Sequence, residues 1–531
     1  MNQLATPKEG GRHASEPSQG VAHTGGLWCA LRANFPANLD TLALTVWDQD
    51  GQPAYTWRDL ERGSAMLANL FQYLGLTPGE RVALQVDKSV EALMVWLACL
   101  RAGLVLVPLN PAYQAAELTH FLKDASPRLL ICSPGAFGWS SPLAFQLGVE
   151  WVFTLGQDRD GTLLDRASFH SDHQQPMACS ASDAAAILYT SGTTGVSKGA
   201  LLTHGNLLAN ACTLLDVWGW QRANSPTPDL LVHALPIFHV HGLFVASHCA
   251  LLGGSAMRWF NRFDAVAVCT ALPGASVFMG VPTLYTRLLD CPAFTKGLCA
   301  SMRLFISGSA PLQAETFDQF EQRFGQRILE RYGMSETGML TSNPRVGERR
   351  RASVGPALPG VQLRIAEPDA QGIGGVEVAG PNVFAGYWRR PELNATEFTP
   401  DGFFRTGDLG RIDAEGYLHL VGRAKDLIIS GGFNVYPAEV EMHLNELPGV
   451  QESAVIGLPH ADFGEAVTAL VIAQPGARLD EAVLIQALRQ RIAAFKCPKR
   501  VLMVGALPRN AMGKVQKKLL RAQHDQLYTP V

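Results

Sequence analysis

Between Leu188 and Thr203 the chain reads Leu-Tyr-Thr-Ser-Gly-Thr-Thr-Gly-Val-Ser-Lys-Gly-Ala-Leu-Leu-Thr, hydroxyl residues and glycines around a single lysine. The hydroxyls of Thr190, Ser191, Thr193 and Thr194, the backbone N–H groups around Gly192 and the Lys198 ammonium together suit a polyphosphate. This is not a Walker A loop, which needs Gly-Lys-Ser/Thr where this chain has serine at 197 and glycine at 199. A surface turn rich in small polar residues is the ordinary reading of such a stretch. Two features argue for a ligand loop instead: the lone lysine, and the apolar run Ala184 to Leu188, which reads as a buried strand leading into it. The apolar pattern resumes toward Asn206 and predicts a helix after the loop.

Five further stretches carry chemistry. His239 and His241 end a strand-like run from Leu231; without a third ligand of matching spacing they line a pocket rather than hold a metal. Arg287 lies among apolar neighbours on a predicted helix, Thr283 to Leu289, where a solvated face is the default reading. Two runs, Leu304 to Ser309 and Ile328 to Tyr332, stop at small and hydroxyl residues, as strands do at the carboxyl edge of a parallel sheet, where open α/β folds bind ligands. Pro508 to Lys514 projects a lysine from a glycine-containing turn.

Positioning such residues requires a layered frame. Strands Arg81 to Val86, Leu104 to Pro108 and Leu129 to Cys132 alternate with helices Ser89 to Arg101 and Ala116 to Ala125, which implies βαβ units on a parallel sheet. A further helix, Tyr55 to Leu70, has Thr56 as its N-cap. Beyond Pro359, short strands Gln362 to Ile365, Gly375 to Val378 and Tyr417 to Val421 predict a small antiparallel unit. The last 105 or so residues alternate helix (Pro437 to Leu447, Glu481 to Ala494) with strand (Glu452 to Leu458, Ala466 to Ala473). The expected fold class is therefore α/β: a large N-terminal domain of parallel sheets and helices with a small β unit, 27–424, then a small mobile α+β domain, 425–531, after a flexible leader, 1–26.

Composition narrows the function classes. With 531 residues, 47% hydrophobic and 17% charged, the chain is globular and multidomain, and a net charge of −3 gives no electrostatic case for nucleic acid or an acidic membrane. Ten cysteines without a Cys-x-x-Cys pair fit buried thiols in a reducing, cytoplasmic setting. The leader lacks the apolar core of a secretory signal, and its mixed charges do not suit a transit peptide. Arg101, Gly103 and Pro108 interrupt the most apolar segment, so no membrane span is expected.

The order and spacing of Tyr189 to Gly199, Tyr332-Gly333-Met334-Ser335-Glu336-Thr337, Thr406-Gly407-Asp408, Gly422-Arg423-Ala424-Lys425-Asp426 and Pro508 to Lys514 resemble the adenylate-forming acyl-CoA synthetase family over residues 27–521. Within that family, Phe238 to Phe244, Gly280 to Leu289, Phe305 to Leu312 and Gly431 to Pro437 look most like the malonyl-CoA synthetases. The resemblance implies two half-reactions: a carboxylate attacks the α-phosphorus of ATP, giving acyl-adenylate and pyrophosphate, and the CoA thiolate then displaces AMP. It implies that the loop with Lys198 holds the β and γ phosphates and that Glu336 binds Mg²⁺. Thr337 would contact the α-phosphate. Asp408 and Arg423 would hold the ribose, and Tyr332 would stack on adenine opposite Ser309, Ala310 and Pro311. Lys514 would bridge carboxylate and α-phosphate, and Lys425 would be the hinge of a rotating small domain. That rotation would carry Gly431, Gly432 and Phe433 beside the pantetheine tunnel. His239 would border acyl pocket and tunnel, with Val240, Gly333, Met334 and Arg287 around the acid.

On this reading the substrates are small molecules: malonate, ATP and CoA. Rivals inside the class are a ligase for methylmalonate or a monocarboxylate, and an adenylation domain loading a carrier protein; the 17 residues after Lys514 resemble no carrier domain and favour free CoA. A catalytically dead binding protein has no reason to keep Lys198, Glu336, Asp408, Arg423 and Lys514 together.

Overall fold

The computed structural model describes residues 26–190, 197–510 and 513–528. The expected leader, but for Gly26, and the loop residues Ser191, Gly192, Thr193 and Thr194 lie outside the described residues.

Three sheets make up the large N-terminal part. The first has eight strands in the order Gly338–Ser342, Leu329–Met334, Leu304–Ser307, Val277–Gly280, Leu231–His233, Met257–Trp259, Leu42–Val46, Ala54–Thr56. Its middle strands are parallel, pairing Val277 with both Leu304 and Leu231, and Ile306 with Leu329. Their carboxyl ends therefore open on one edge, and the segments that follow, from Pro236, Val281, Gly308 and Gly333, all emerge there. These strands are buried and mostly apolar, with His233, Glu330 and Arg331 as buried polar exceptions. Helix Val90–Ala102, which joins strands Arg81–Gln85 and Val105–Pro108 of the second sheet, is buried at every position and starts at Ser89, whose side chain accepts from the Ala92 N–H.

The second sheet has seven strands and contains the expected units Arg81–Gln85, Val105–Pro108 and Leu129–Cys132 in parallel. Thr56 caps helix Trp57–Tyr73 in a reciprocal box with Asp59. One expectation fails here. After residues 191–196 the chain does not enter a helix directly; it runs as strand Lys198–Thr203, antiparallel to Ala184–Thr190, and the helix begins only at His204. Five residues of Gly-Ala-Leu-Leu-Thr are too short a run to separate helix from strand by periodicity, and pairing with the already formed strand decides it. Thr190 and Lys198 are thus paired at one end of two antiparallel strands, and the helix begins six residues beyond Lys198.

The third sheet is antiparallel, Gln362–Ala366, Gly374–Ala379, Phe404–Ile412 and Leu418–Arg423 in that order. Its longest strand, Phe404–Ile412, went unread in the sequence because Thr406-Gly407-Asp408-Leu409-Gly410 lacks β formers. The remaining sheet, beyond the 3₁₀ turn Ala424–Asp426, packs helices Pro437–Asn445 and Glu481–Arg489 over a core of its own around Val440, Val455, Val467 and Leu484. Among the described residues its polar links to the large part include Tyr436 Oη to Asp369 Oδ2 at 3.2 Å and Asn445 Nδ2 to Gln313 Oε1 at 3.2 Å. All ten cysteines are free thiols, Cys29 and Cys212 half-buried and the rest buried.

Candidate active site

The hairpin places Thr190 directly opposite Lys198, so both flank the loop. The Thr190 hydroxyl donates to Glu336 Oε1 at 3.1 Å, and the Tyr387 hydroxyl donates to the same oxygen at 3.0 Å. Lys198 is 8% exposed, with its Nζ 3.6 Å from Glu397 Oε1 and 5.0 Å from the centre of the Tyr387 ring. Tyr387 and Glu397 were missed in the sequence. Tyr387 reaches the site because the two-residue strand Gly386–Tyr387 pairs with Ala200 and Leu201, a long-range pairing that no local pattern announces. Glu336 is buried, and that burial raises its pKa even though Tyr387 and Thr190 stabilise its charge. A buried carboxylate whose partners here are two hydroxyls suits Mg²⁺, which binds through one or two carboxylates plus phosphate oxygens and water. No three-ligand metal cluster occurs among the described residues. Thr337 is fully buried, its hydroxyl on the Gly338 carbonyl at 3.0 Å.

A second group gathers where the antiparallel sheet meets strand Leu329–Met334. Asp408 and Arg423 are cross-strand partners, joined by a 2.7 Å ion pair, and the Tyr332 hydroxyl donates to the other Asp408 oxygen. Arg423 also donates to the Thr406 carbonyl at 3.1 Å. Asp408 is 6% exposed, so its charge rests on these donors, the kind of fixed acceptor that a ribose diol can join. Gly407, at φ 71°, gives the strand the local turn that presents Asp408.

The Lys514 turn closes over this group. Lys514 N–H donates to Asn510 Oδ1 at 3.0 Å and its carbonyl accepts from Asn510 N–H at 2.9 Å, while Arg509 holds the Gly513 carbonyl at 2.6 Å. A Cβ placed on Gly513 would come within 3.0 Å of Thr283 Oγ1, so the turn rests on the start of helix Pro282–Leu289. The Lys514 side chain keeps solvent-accessible surface, yet it stands in a cleft with protein on its flanks. Desolvation there, then the Arg423 charge, pushes its pKa down to about 8. The accessible surface and the desolvation agree once the cleft is seen as a space for a ligand.

Arg287 lies one turn beyond Thr283 on the same helix face. It is exposed between buried Leu284 and Leu288 and has no ion-pair partner among the described residues. Across the sheet edge, Val240 is 3% exposed, and His239 Nδ1 accepts from the His241 N–H at 3.4 Å. Burial, with the Arg331 charge nearby, lowers the His239 pKa to about 4, leaving the imidazole neutral at physiological pH. Ser309 sits at φ 75°, rare for a residue with a side chain, and its hydroxyl meets His241 Nδ1 at 3.2 Å. Ala310 and Pro311 follow it along the edge beside Tyr332. Gly333 cannot carry a side chain, since a Cβ would lie 2.1 Å from the Gly338 carbonyl oxygen; Met334 beside it is half-buried. Lys425 lies on the 3₁₀ turn Ala424–Asp426, between the antiparallel sheet and the C-terminal one. Gly431 and Gly432, at φ 59° and 82°, and Phe433, 58% exposed, face away into solvent, where Phe433 packs only on Phe495 at 4.8 Å among the ring contacts.

The AMP-binding enzyme family profile matches residues 32–388, and that of the AMP-binding enzyme C-terminal domain matches 439–514. A malonate–CoA ligase of Arabidopsis thaliana is 35% identical over 488 residues, covering 85% of this chain and 79% of its own. A feruloyl-CoA synthase of Amycolatopsis sp. is 35% identical over 505 residues, covering 93% and 98%. The ATP-bound crystal structure of MatB from Rhodopseudomonas palustris is 47% identical, covers 95% of this chain and 99% of its own, and superposes with a TM-score of 0.91. The apo structure of the same protein reaches 0.80.

Proposed function

Because this chain belongs to the AMP-binding enzyme family, we propose that it is an ATP-dependent, AMP-forming acid–CoA ligase and that its acid is malonate. The observation that carries the ligase reading is the convergence of Lys198, Glu336, Asp408, Arg423 and Lys514 from four separate sheets and turns onto one cleft. The malonate reading draws support from Arg287, an unpaired cation beside the cleft, and from the likeness to MatB and to the plant malonate–CoA ligase.

In this account Lys198 and the hairpin loop hold the β and γ phosphates, and Asp408 with Arg423 holds the ribose. Mg²⁺ bound at Glu336 would neutralise phosphate charge. Lys514 bridges the attacking carboxylate oxygen and the α-phosphate, stabilising charge that develops only in the transition state. The bond from carboxylate oxygen to α-phosphorus forms as the bond from that phosphorus to the oxygen bridging to the β-phosphate breaks, pyrophosphate leaving with its electron pair, and no residue of the chain becomes covalently attached. The CoA thiolate then attacks the acyl carbon, and AMP leaves with the electron pair of the broken carbon–oxygen bond. Lys514 fills the cleft in the arrangement seen here, while Gly431, Gly432 and Phe433 face solvent, so thiol entry requires the small domain to turn about Lys425.

A panel of malonate, methylmalonate, succinate, acetate, butyrate and benzoate tests the substrate, with CoA-thioester formation as the readout. Malonate is expected to have the highest kcat/KM, by about tenfold or more over any monocarboxylate. A wild type that prefers benzoate or butyrate would return the assignment to acid–CoA ligase without a named acid.

A further inference from the structure

Arg331 is a cation buried without a protein anion. It is 2% exposed, its Nε and Nη2 have no hydrogen-bond partner, and no ion pair reaches it among the described residues. Its chain neighbour Glu330 does not neutralise it: adjacent strand residues point to opposite faces, and Glu330 Oε1 instead accepts from the Leu312 N–H at 3.0 Å. Burial also raises the Glu330 pKa to about 8, which leaves that carboxyl largely protonated at neutral pH. Leaving a guanidinium unpaired at such depth is costly, and proteins retain such groups where an anion arrives from outside.

The surroundings say where that anion comes from. A Cβ built on Gly308 would lie 2.6 Å from Arg331 Cζ, so the guanidinium rests on the Gly308 backbone, at the carboxyl edge of the sheet. The next residue is Ser309, whose hydroxyl holds His241, and the His241 N–H in turn holds His239. Of these, His239 is the residue that the malonate reading places beside the acid, and the Arg331 charge acts on it directly. Arg331 thus lies on the sheet side of this edge, behind Gly308 and His239, and Arg287 lies on the helix side.

We infer that Arg331 is a specificity-determining cation of the acid pocket, presenting its unpaired Nε–H and Nη2–H as a fork to the second anionic group of a short acid. This rests on the dicarboxylate reading and deepens it. A planar fork binds a carboxylate through two parallel bonds, which a lysine cannot imitate. The same side chain occupies depth that a longer acyl chain would need, so it selects for short acids and for charged ones together.

The test compares malonate with propionate, equal in carbon count, in wild type, Arg331→Met and Arg331→Lys. In Arg331→Met the malonate-to-propionate ratio of kcat/KM should fall at least about a hundredfold, with KM for ATP unchanged. Its Tm should hold or rise, because an uncompensated charge has been replaced by an apolar chain of similar length. A merely structural arginine would do the reverse, lowering Tm and leaving the ratio alone. In Arg331→Lys, where the charge stays but the fork is lost, the ratio should fall about tenfold; this variant decides the matter if Arg331→Met does not fold. Ratios within about threefold of wild type in either folded variant overturn the inference alone. A wild type that itself prefers propionate overturns the malonate reading and this inference with it.

Discussion

Lys514→Ala is expected to slow malonate-dependent pyrophosphate release about a thousandfold, the scale of losing one preorganised charge aimed at a transition state, while thioester formation from supplied malonyl-adenylate stays within a few-fold of wild type. The asymmetry follows from position. Lys514 belongs to a turn seated on Thr283, over the Asp408–Arg423 pair, and its charge is wanted only while the α-phosphorus is under attack. The second half-reaction needs the turn to be elsewhere. Equal losses in both half-reactions would remove the account in which the small domain serves two steps from two orientations. A pH profile gives a second readout. A lysine whose pKa has been lowered to about 8 loses its charge as pH rises through that value, so kcat/KM for ATP in the wild type should decline above it. The decline should vanish in Lys514→Ala, where only the residual slow rate remains.

Arg287→Ala is expected to lower malonate kcat/KM by about a hundredfold, or ~3 kcal/mol of charge-assisted bonding, while activity with propionate or butyrate is kept or rises. Malonate retains a second carboxylate after the first is activated, and leaving it unpaired among Val240, His239 and Met334 would cost several kcal/mol. Arg287 is the exposed cation on the helix that also supports the Lys514 turn, one turn from Thr283, so it can meet a carboxylate lying next to the one that Lys514 holds. Because it has no protein partner, its removal leaves no other charge stranded and should not disturb the fold. Full malonate activity in this variant would remove Arg287 from the acid pocket.

The reading of residues 190–198 as a phosphate loop rests on local chemistry, hydroxyls, glycines and a lysine close together in the chain, and of these the structure describes Thr190 and Lys198, which it sets opposite each other. Asp408, Arg423 and Lys514 were each picked out by a short motif whose order along the chain carried the resemblance, and the structure pairs the first two across neighbouring strands. The parallel sheet edge was readable from the runs Leu304 to Ser309 and Ile328 to Tyr332, which stop at small and hydroxyl residues, close to the observed strands Leu304–Ser307 and Leu329–Met334. Other parts were not. Strand Lys198–Thr203 was read as the approach to a helix, since five residues carry no decisive period and the partner strand settles the matter. Tyr387 and Glu397 reach Lys198 only through pairing of Gly386–Tyr387 with a strand nearly two hundred residues earlier. Arg331 is one letter before a recognised motif, and nothing in sequence distinguishes a buried, unpaired arginine from a solvated one. Burial and hydrogen-bond satisfaction are properties of the assembled edge.

The central claim is that malonate is activated as an adenylate before CoA takes part. The most direct measurement is ATP–pyrophosphate exchange in the wild type, with ATP and Mg²⁺ but no CoA, with and without malonate. The account predicts exchange that depends on malonate and disappears in Lys514→Ala, because the reversible first half-reaction needs only the acid, ATP and that lysine. Exchange that is absent without CoA, or that proceeds equally without malonate, would contradict it.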